Sequence, residues 1–257
     1  MILGHSLFTL SSYIKYKIRA QNAHGLHSPF LFRFYNEVIK GEDPQLKKSL
    51  IEIRNSVFNA TDVLSYIDPK SNSHKNEPIS RWSKRVTSSL KFTQFLIRLI
   101  DFLEVKTVLE TGTASGINAS SLTYSKAEKI VTLEGSSAIA TIASEVIAKF
   151  GNDKVRLIEG EIKDTFKQTL MVHQPELIFL DADHRSETIN FYLDVIAQMK
   201  EAPTCILVHD IYWSKDMYQA WQEIIKNPSY ALTMDLFEVG IIFPKIQIEK
   251  QHFLIQF

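Results

Sequence analysis

The chain has 257 residues, 45% apolar and 23% charged, the make-up of a globular protein with room for one large domain and an extension. Its 29 Lys and Arg balance 29 Asp and Glu, so no overall field favours nucleic acid or an anionic membrane. One cysteine, Cys205, excludes an internal disulfide, and no apolar run reaches the roughly 18 residues of a membrane span. The first residues show no signal-peptide pattern, because the apolar stretch from Leu7 to Leu10 is short and polar Ser11 and Ser12 follow it. A cytoplasmic protein is the expectation.

Residues 1–23 carry Tyr13, Ile14 and Ile18 among lysines and read as a short helix. His24 and His27 follow, with no Cys, Asp or Glu at a supporting spacing; capping or packing accounts for them better than metal binding. Ser28-Pro29 reads as a helix start, the stripe Phe30, Phe34, Val38 continues it, and Gly41 ends it. A further helical pattern covers 43–67 through Leu46, Leu50, Ile53 and Val57. Asp68–Ser80 is polar with two prolines and reads as a mobile loop, beside a basic cluster of Arg81, Lys84, Arg85 and Lys91. Trp82 and this loop are placed to close over a site.

From Ser88 the stripe Phe92, Phe95, Leu96, Leu99, Phe102 gives a helix. A regular alternation then begins. Strands are expected at 106–111, 129–134, 154–159, 176–181 and 204–209, with helices at 117–127, 136–150, 162–171, 186–200 and 214–226. Apolar strands separated by amphipathic helices imply an α/β fold, Rossmann-like and doubly wound, with a mostly parallel sheet. After Pro228 no helix separates the strand patterns 231–239, 240–243 and 252–257, so an antiparallel C-terminal end is expected. The expected domains are an N-terminal helical extension, 1–87, with its polar loop 68–80, and an α/β domain, 88–257.

In open α/β sheets ligands bind at the carboxyl ends of the strands. Here those ends deliver Glu110 with the turn Gly112–Gly116, then Glu134-Gly135-Ser136, Gly160-Glu161, Asp181-Ala182-Asp183-His184, and His209-Asp210. A carboxylate at the tip of the second strand, Glu134, suits the two hydroxyls of a ribose. The Gly-x-x-x-Gly turn lacks the spacing of dinucleotide phosphate loops and the Lys-Ser/Thr of a P-loop, and Glu110 would repel a pyrophosphate. A nicotinamide oxidoreductase is therefore disfavoured. The better fit is a ligand with a ribose and a positive charge.

VLETGTASG, VTLEGS, LIFLDADH and VHD, in this order, resemble the class I S-adenosylmethionine-dependent methyltransferases, and most of all the small-molecule O-methyltransferase branch of catechol and caffeoyl-CoA type. The likeness runs over about 88–243, and HGLHSPF resembles an N-terminal extension of bacterial members. The resemblance implies cofactor contacts at Glu110, Gly112, Thr113, Gly116, Glu134, Gly135, Ser136, Gly160, Glu161 and Asp181. It implies catalytic roles for Asp181, His184 and Asp210, with His184 standing where the branch has a lysine base. In the metal-dependent branch Mg²⁺ would lie on Asp181 and Asp210, but Ile211 replaces an expected Asn, and Asp183 is a possible substitute ligand. Tyr212 and Trp213 suit an apolar wall for an aromatic acceptor, or core packing. His209 is expected to point away from the site. The implied acceptor is a small molecule, without nucleic acid or membrane partners, and a homodimer stays open. A macromolecular substrate, or a non-catalytic binding protein, is the alternative reading.

Overall fold

The structure, a computed structural model, describes residues 2–22, 28–68, 73–246 and 248–257, with side chains from residue 7 onward. His24 and His27 lie outside the described residues. The elements in order begin with α1 (Ile2–Arg19), α2 (Pro29–Arg33) with a π-turn over Phe34–Ile39, and α3 (Pro44–Phe58). Next come β1 (Val63–Asp68), β2 (Ser73–Pro78), α4 (Ile79–Val86), α5 (Leu90–Phe102), β3 (Thr107–Thr111), α6 (Ile117–Ser121), β4 (Lys129–Glu134), α7 (Ser137–Phe150) and β5 (Val155–Glu159). The rest are α8 (Ile162–His173), β6 (Leu177–Leu180), α9 (Ser186–Ile196), β7 (Cys205–His209), α10 (Lys215–Lys226), β8 (Leu232–Asp235), β9 (Val239–Phe243) and β10 (Gln251–Leu254). The fold class is α/β with a mostly parallel, Rossmann-like sheet, as expected. By internal packing the chain forms two compact units, residues 41–169 and residues 1–40 with 170–257.

In the 41–169 unit β3, β4 and β5 run parallel, with Glu110 level with Thr132 and Glu134 level with Glu159. Val108, Leu109, Ile130, Val131 and Leu133 are fully buried, which is why these strands read as continuous apolar runs. Ser89 caps α5 by accepting from Phe92 N at 3.1 Å, and Asp43 caps α3 through Leu46 N at 2.9 Å. The α5 stripe Phe92, Phe95, Leu96 and Leu99 is fully buried, each side chain contributing about 2 kcal/mol of transfer free energy.

Three expectations fail in this unit. The helical pattern over 43–67 stops at Phe58, and Val63–Asp68 is a strand. The expected polar loop 68–80 instead contains β2, paired antiparallel with β1 from Asp68↔Ser73 to Val63↔Pro78. Trp82 does not close over a site. It is buried against Leu64, Tyr66 and Ile139, packing the hairpin and α4 onto α7. Of the basic cluster, Arg85 is ion-paired to Glu77 at 2.6 Å.

In the other unit β6 and β7 are parallel, and β9 pairs antiparallel with both β7 and β8. The expected break between 239 and 240 lies earlier, at Leu236–Glu238, so Val239 belongs to β9. The last strand departs from the antiparallel expectation, since β10 runs parallel to β8. Gly240 leaves room for the Trp221 ring, which an added Cβ would meet at 2.5 Å. The N-terminal helix is longer than expected and firmly seated. The Tyr16 hydroxyl donates to Ile255 O at 2.5 Å and accepts from Phe257 N at 3.0 Å. No helix among the described residues is long and apolar enough to cross a membrane.

Candidate functional site

Within the 41–169 unit, the glycine turn, β4 and the start of α7 build a carboxylate cradle. Gly112 and Thr113 both donate to Leu133 O, at 2.9 and 3.1 Å, which pins the turn to β4. The turn needs left-handed backbone at Gly112 (φ 84°), Ala114 (φ 48°) and Gly116 (φ 75°). Gly116 has a second reason to be glycine: a Cβ there would lie 2.9 Å from Ala143 O, so it sets the close approach of α6 to α7. That requirement exists without any ligand.

Glu134 accepts from Ala114 N (3.0 Å) through one oxygen and from Ser136 N (3.0 Å) through the other. Burial pushes its carboxyl up from the usual range, opposed by these backbone N–H donors. Two backbone bonds leave acceptor capacity on both oxygens, enough for a pair of vicinal hydroxyls. Gly160 N ties β5 to the same corner by donating to Glu134 O at 3.0 Å, with Gly160 itself at φ 144°.

The other expected cofactor residues fall into place unevenly. Glu110 is 1% exposed, and its oxygens accept from Asn118 Nδ2 and, at 2.7 Å, from Thr132 Oγ1. It therefore clamps β3 to α6 and β4. Thr113 Oγ1 is likewise turned inward, 2.7 Å from Thr132 Oγ1. Gly135 is exposed with room for a Cβ, and Glu161 is exposed while its carbonyl starts α8. Asn118 and Thr132 escaped the sequence reading, although the Glu110↔Thr132 register accounts for the second.

In the other unit, the tips of β6 and β7 bring four side chains together. His184 Nε2 lies 3.4 Å from Asp181 Oδ1 and 3.4 Å from Asp210 Oδ2. His209 Nδ1 lies 2.7 Å from Asp181 Oδ1 and 4.0 Å from Asp210 Oδ2, and its Nε2 is 3.7 Å from Glu238 Oε1. His209 therefore does not point away. Leu180 pairs with Val208, so the next residues, Asp181 and His209, stand level and share a face. Burial lowers the His209 pKa, but Asp181, Glu238 and Asp210 outweigh it and hold the ring well above the usual histidine range. Burial alone would raise Asp181; the two imidazoles bring it down to about 2. Both ring nitrogens of His184 are buried without a hydrogen-bond partner.

Asp210 sits at φ 56°, a conformation that Asp tolerates better than most residues; its N–H donates to Glu238 O at 2.7 Å and its carbonyl accepts from Trp213 N at 2.8 Å. Asp183 does not join the cluster as a substitute ligand. Its carboxylate accepts from Arg185 Nε and Nη2 and from Thr188 Oγ1 at 2.8 Å, which fixes the start of α9. Tyr212 is core: it stacks on Phe237 (centroids 4.6 Å apart) and donates to buried Asp235 at 2.8 Å. Trp213 is half exposed, with its ring 5.9 Å from the His184 ring.

Mg²⁺ does not fit this donor set. It asks for oxygen ligands at near-ideal octahedral positions. Here two imidazoles face Asp181 and Asp210, and the fully buried Ile211 side chain supplies no oxygen where the resemblance expects an amide.

A glycine turn and strand-tip carboxylates in a parallel α/β sheet are the equipment of a nucleoside-binding enzyme. The family is narrower than that class. The O-methyltransferase profile matches residues 73–226, more than half of the chain, and the chain belongs to the O-methyltransferase family. Among solved structures it is similar to the SAH-bound Podospora anserina methyltransferase PaMTH1, at 20% identity and TM-score 0.60, over 86% of this chain and 97% of that one. It is also similar to the Bacillus cereus O-methyltransferase in complex with SAH, at 16% identity and TM-score 0.53, over 82% and 96%. Cofactor-bound Rv0187 from MTB matches at 18% identity and TM-score 0.55, over 86% and 99%. At these identities the likeness is one of fold. No curated protein matches the sequence.

Proposed function

We propose that this enzyme moves a methyl group from S-adenosylmethionine to a hydroxyl oxygen of a small acceptor, with a phenol as the favoured class. The observation that carries the cofactor half is Glu134, a buried carboxylate oriented by Ala114 N and Ser136 N with acceptor capacity to spare. It holds the ribose. The turn from Gly112 to Gly116 passes the methionine end, Ser136 and Gly135 lie at the ribose edge, and Gly160-Glu161 border the adenine.

The reaction is an in-line displacement. An acceptor oxygen lone pair forms the O–CH₃ bond as the S–CH₃ bond breaks, and S-adenosylhomocysteine leaves with the electron pair on sulfur. The sulfonium is already a good leaving group, so the chain's tasks are to orient the partners and to take the acceptor's proton. That proton goes to the cluster of Asp181, His184, His209 and Asp210, and Asp181, which the resemblance also counts among the cofactor contacts, is assigned to this cluster alone. Within it His184 is the nitrogen poised between two carboxylates, and Trp213 offers the acceptor a flat apolar contact. Residues 1–87 are read as an extension of a catalytic domain 88–257, and the protein as cytoplasmic.

The test is methyl transfer from labelled S-adenosylmethionine to a panel of catechols, simple phenols, amines and thiols. Label on oxygen acceptors, lost in Asp181→Asn, is the expected result. Transfer confined to nitrogen or sulfur would refute it.

A further inference from the structure

The helix α1 is apolar on two opposite faces, and the fold uses one of them. The inner face is seated. Thr9 Oγ1 donates to Tyr212 O at 3.3 Å, and the Phe8 ring lies 5.9 Å from Tyr218. Tyr13 lies 5.1 Å from Phe237, and buried Tyr16 is bonded to Ile255 and Phe257. These contacts fix the helix about its own axis. At ~100° per residue, Leu7, Leu10, Ile14 and Ile18 then fall within an arc of about 80°, with Tyr16 on the far side. All four are exposed, from 52% at Ile14 to 79% at Ile18. A helix apolar on every side is normally covered on every side, and an exposed apolar stripe bordered by polar residues marks a docking surface.

Charge says what covers it. The helix ILGHSLFTLSSYIKYKIR contains no Asp or Glu. Lys15 and Arg19 border the stripe on one side and Lys17 on the other. Neither Lys15 nor Arg19 is ion-paired among the described residues. Lys17 leans over Tyr13, 5.5 Å from its ring, and donates to Phe257 O at 3.4 Å. A second copy of α1 would meet this face with cations and no carboxylate. An anionic lipid surface answers both features: the stripe enters the acyl boundary while the cations stay among the headgroups.

We propose that α1 lies in the plane of an anionic membrane surface and holds the enzyme there as a peripheral protein. The balanced charge of the whole chain does not oppose this, because such a surface field acts only within a Debye length, about 8 Å at physiological salt. The helix docks along the surface and is not apolar enough to span it. The inference stands independently of the methyl-transfer reading.

The experiment is flotation of the full-length protein with phosphatidylcholine vesicles, with and without phosphatidylglycerol. Expected are flotation with the anionic vesicles, little with the neutral ones, and release by added salt. The double variant Ile14→Asp, Ile18→Asp should abolish flotation. The pair Lys15→Gln, Arg19→Gln should weaken it about thirtyfold, the worth of two cations near an anionic surface. Val63→Ser, at an exposed apolar position in the other unit, should change nothing. Thermal unfolding checks the fold of each variant, and Ile18→Ser, with a smaller loss of flotation, replaces the double variant if that one unfolds early. No flotation, equal flotation with neutral vesicles, or unchanged flotation in folded stripe variants would overturn the proposal. Dimers seen by light scattering without flotation, and lost in the stripe variants, would assign the face to a second copy instead. Methyl transfer in the absence of vesicles is read separately, so a failure of flotation leaves the catalytic reading standing.

Discussion

The cradle around Glu134 and the cluster around Asp181 are both built from strand-tip carboxylates, yet they are finished in opposite ways. In the cradle every acid is answered by neutral donors: Glu110 by Asn118 and Thr132, Glu134 by two backbone N–H groups. The carboxylates of such a site are oriented by the fold itself, which suits hydroxyls that need orienting. In the cluster the acids face imidazoles, with His184 Nε2 3.4 Å from a carboxylate on either side and its Nδ1 buried without a hydrogen-bond partner. Groups left that way are set to change their charge or their ligands. Under the proposed function, that difference makes the cradle the binding half of this enzyme and the cluster the reacting half.

The largest effect should come from breaking the reactive half alone. Asp181→Asn is expected to lower kcat by about a thousandfold, within the range of lost acid–base assistance, while leaving S-adenosylhomocysteine affinity within about twofold. Steady-state kinetics and calorimetry on one sample check it, and a matching loss of cofactor affinity would erase the distinction. Breaking the binding half is next. Glu134→Gln should weaken cofactor binding about a hundredfold, the equivalent of about 3 kcal/mol for bonds to a charged acceptor. Unchanged affinity would remove Glu134 from the ribose.

The turn can be tested for fit rather than charge. Gly116→Ala puts a Cβ 2.9 Å from Ala143 O at a φ of 75°, so a loss of about 1–3 kcal/mol is expected in urea unfolding. A neutral result would mean that α6 and α7 yield easily.

The smallest effect at neutral pH, where His252 is neutral folded or unfolded, is a control outside both halves. Burial, with Arg19 and Lys250 nearby, holds His252 down at about 4. The unfolded chain, with histidine near ~6.5, then binds the extra proton, so stability rises with pH between those values and is lost as pH falls through them. His252→Gln should flatten that slope; an unchanged slope would assign the acid sensitivity elsewhere.

Much of this was legible in the chain. The buried parallel strands announced themselves because both of their faces are apolar, and the acidic tips followed from where those runs end. The β1–β2 hairpin was not legible, because SHKNEP is polar on both faces and only its pairing register makes it a strand. Glu110 reads in the sequence as a ligand contact, while its partners Asn118 and Thr132 are not legible there, because both are side chains brought in by register and a helix turn. His209 was misplaced because alternation along β7 says nothing about which face Asp181 uses; the β6–β7 register decides that. Tyr212 and Trp213 were equivalent in sequence, and Asp235 buries one of them.

The measurement that bears most directly on the central claim is calorimetric titration of S-adenosylhomocysteine into the full-length protein and its Glu134→Gln and Asp181→Asn variants. Saturable one-to-one binding, lost about a hundredfold in Glu134→Gln and kept in Asp181→Asn, is what a binding half and a reacting half require. No heat with the unaltered protein at high concentration, or equal loss in both variants, would contradict the account.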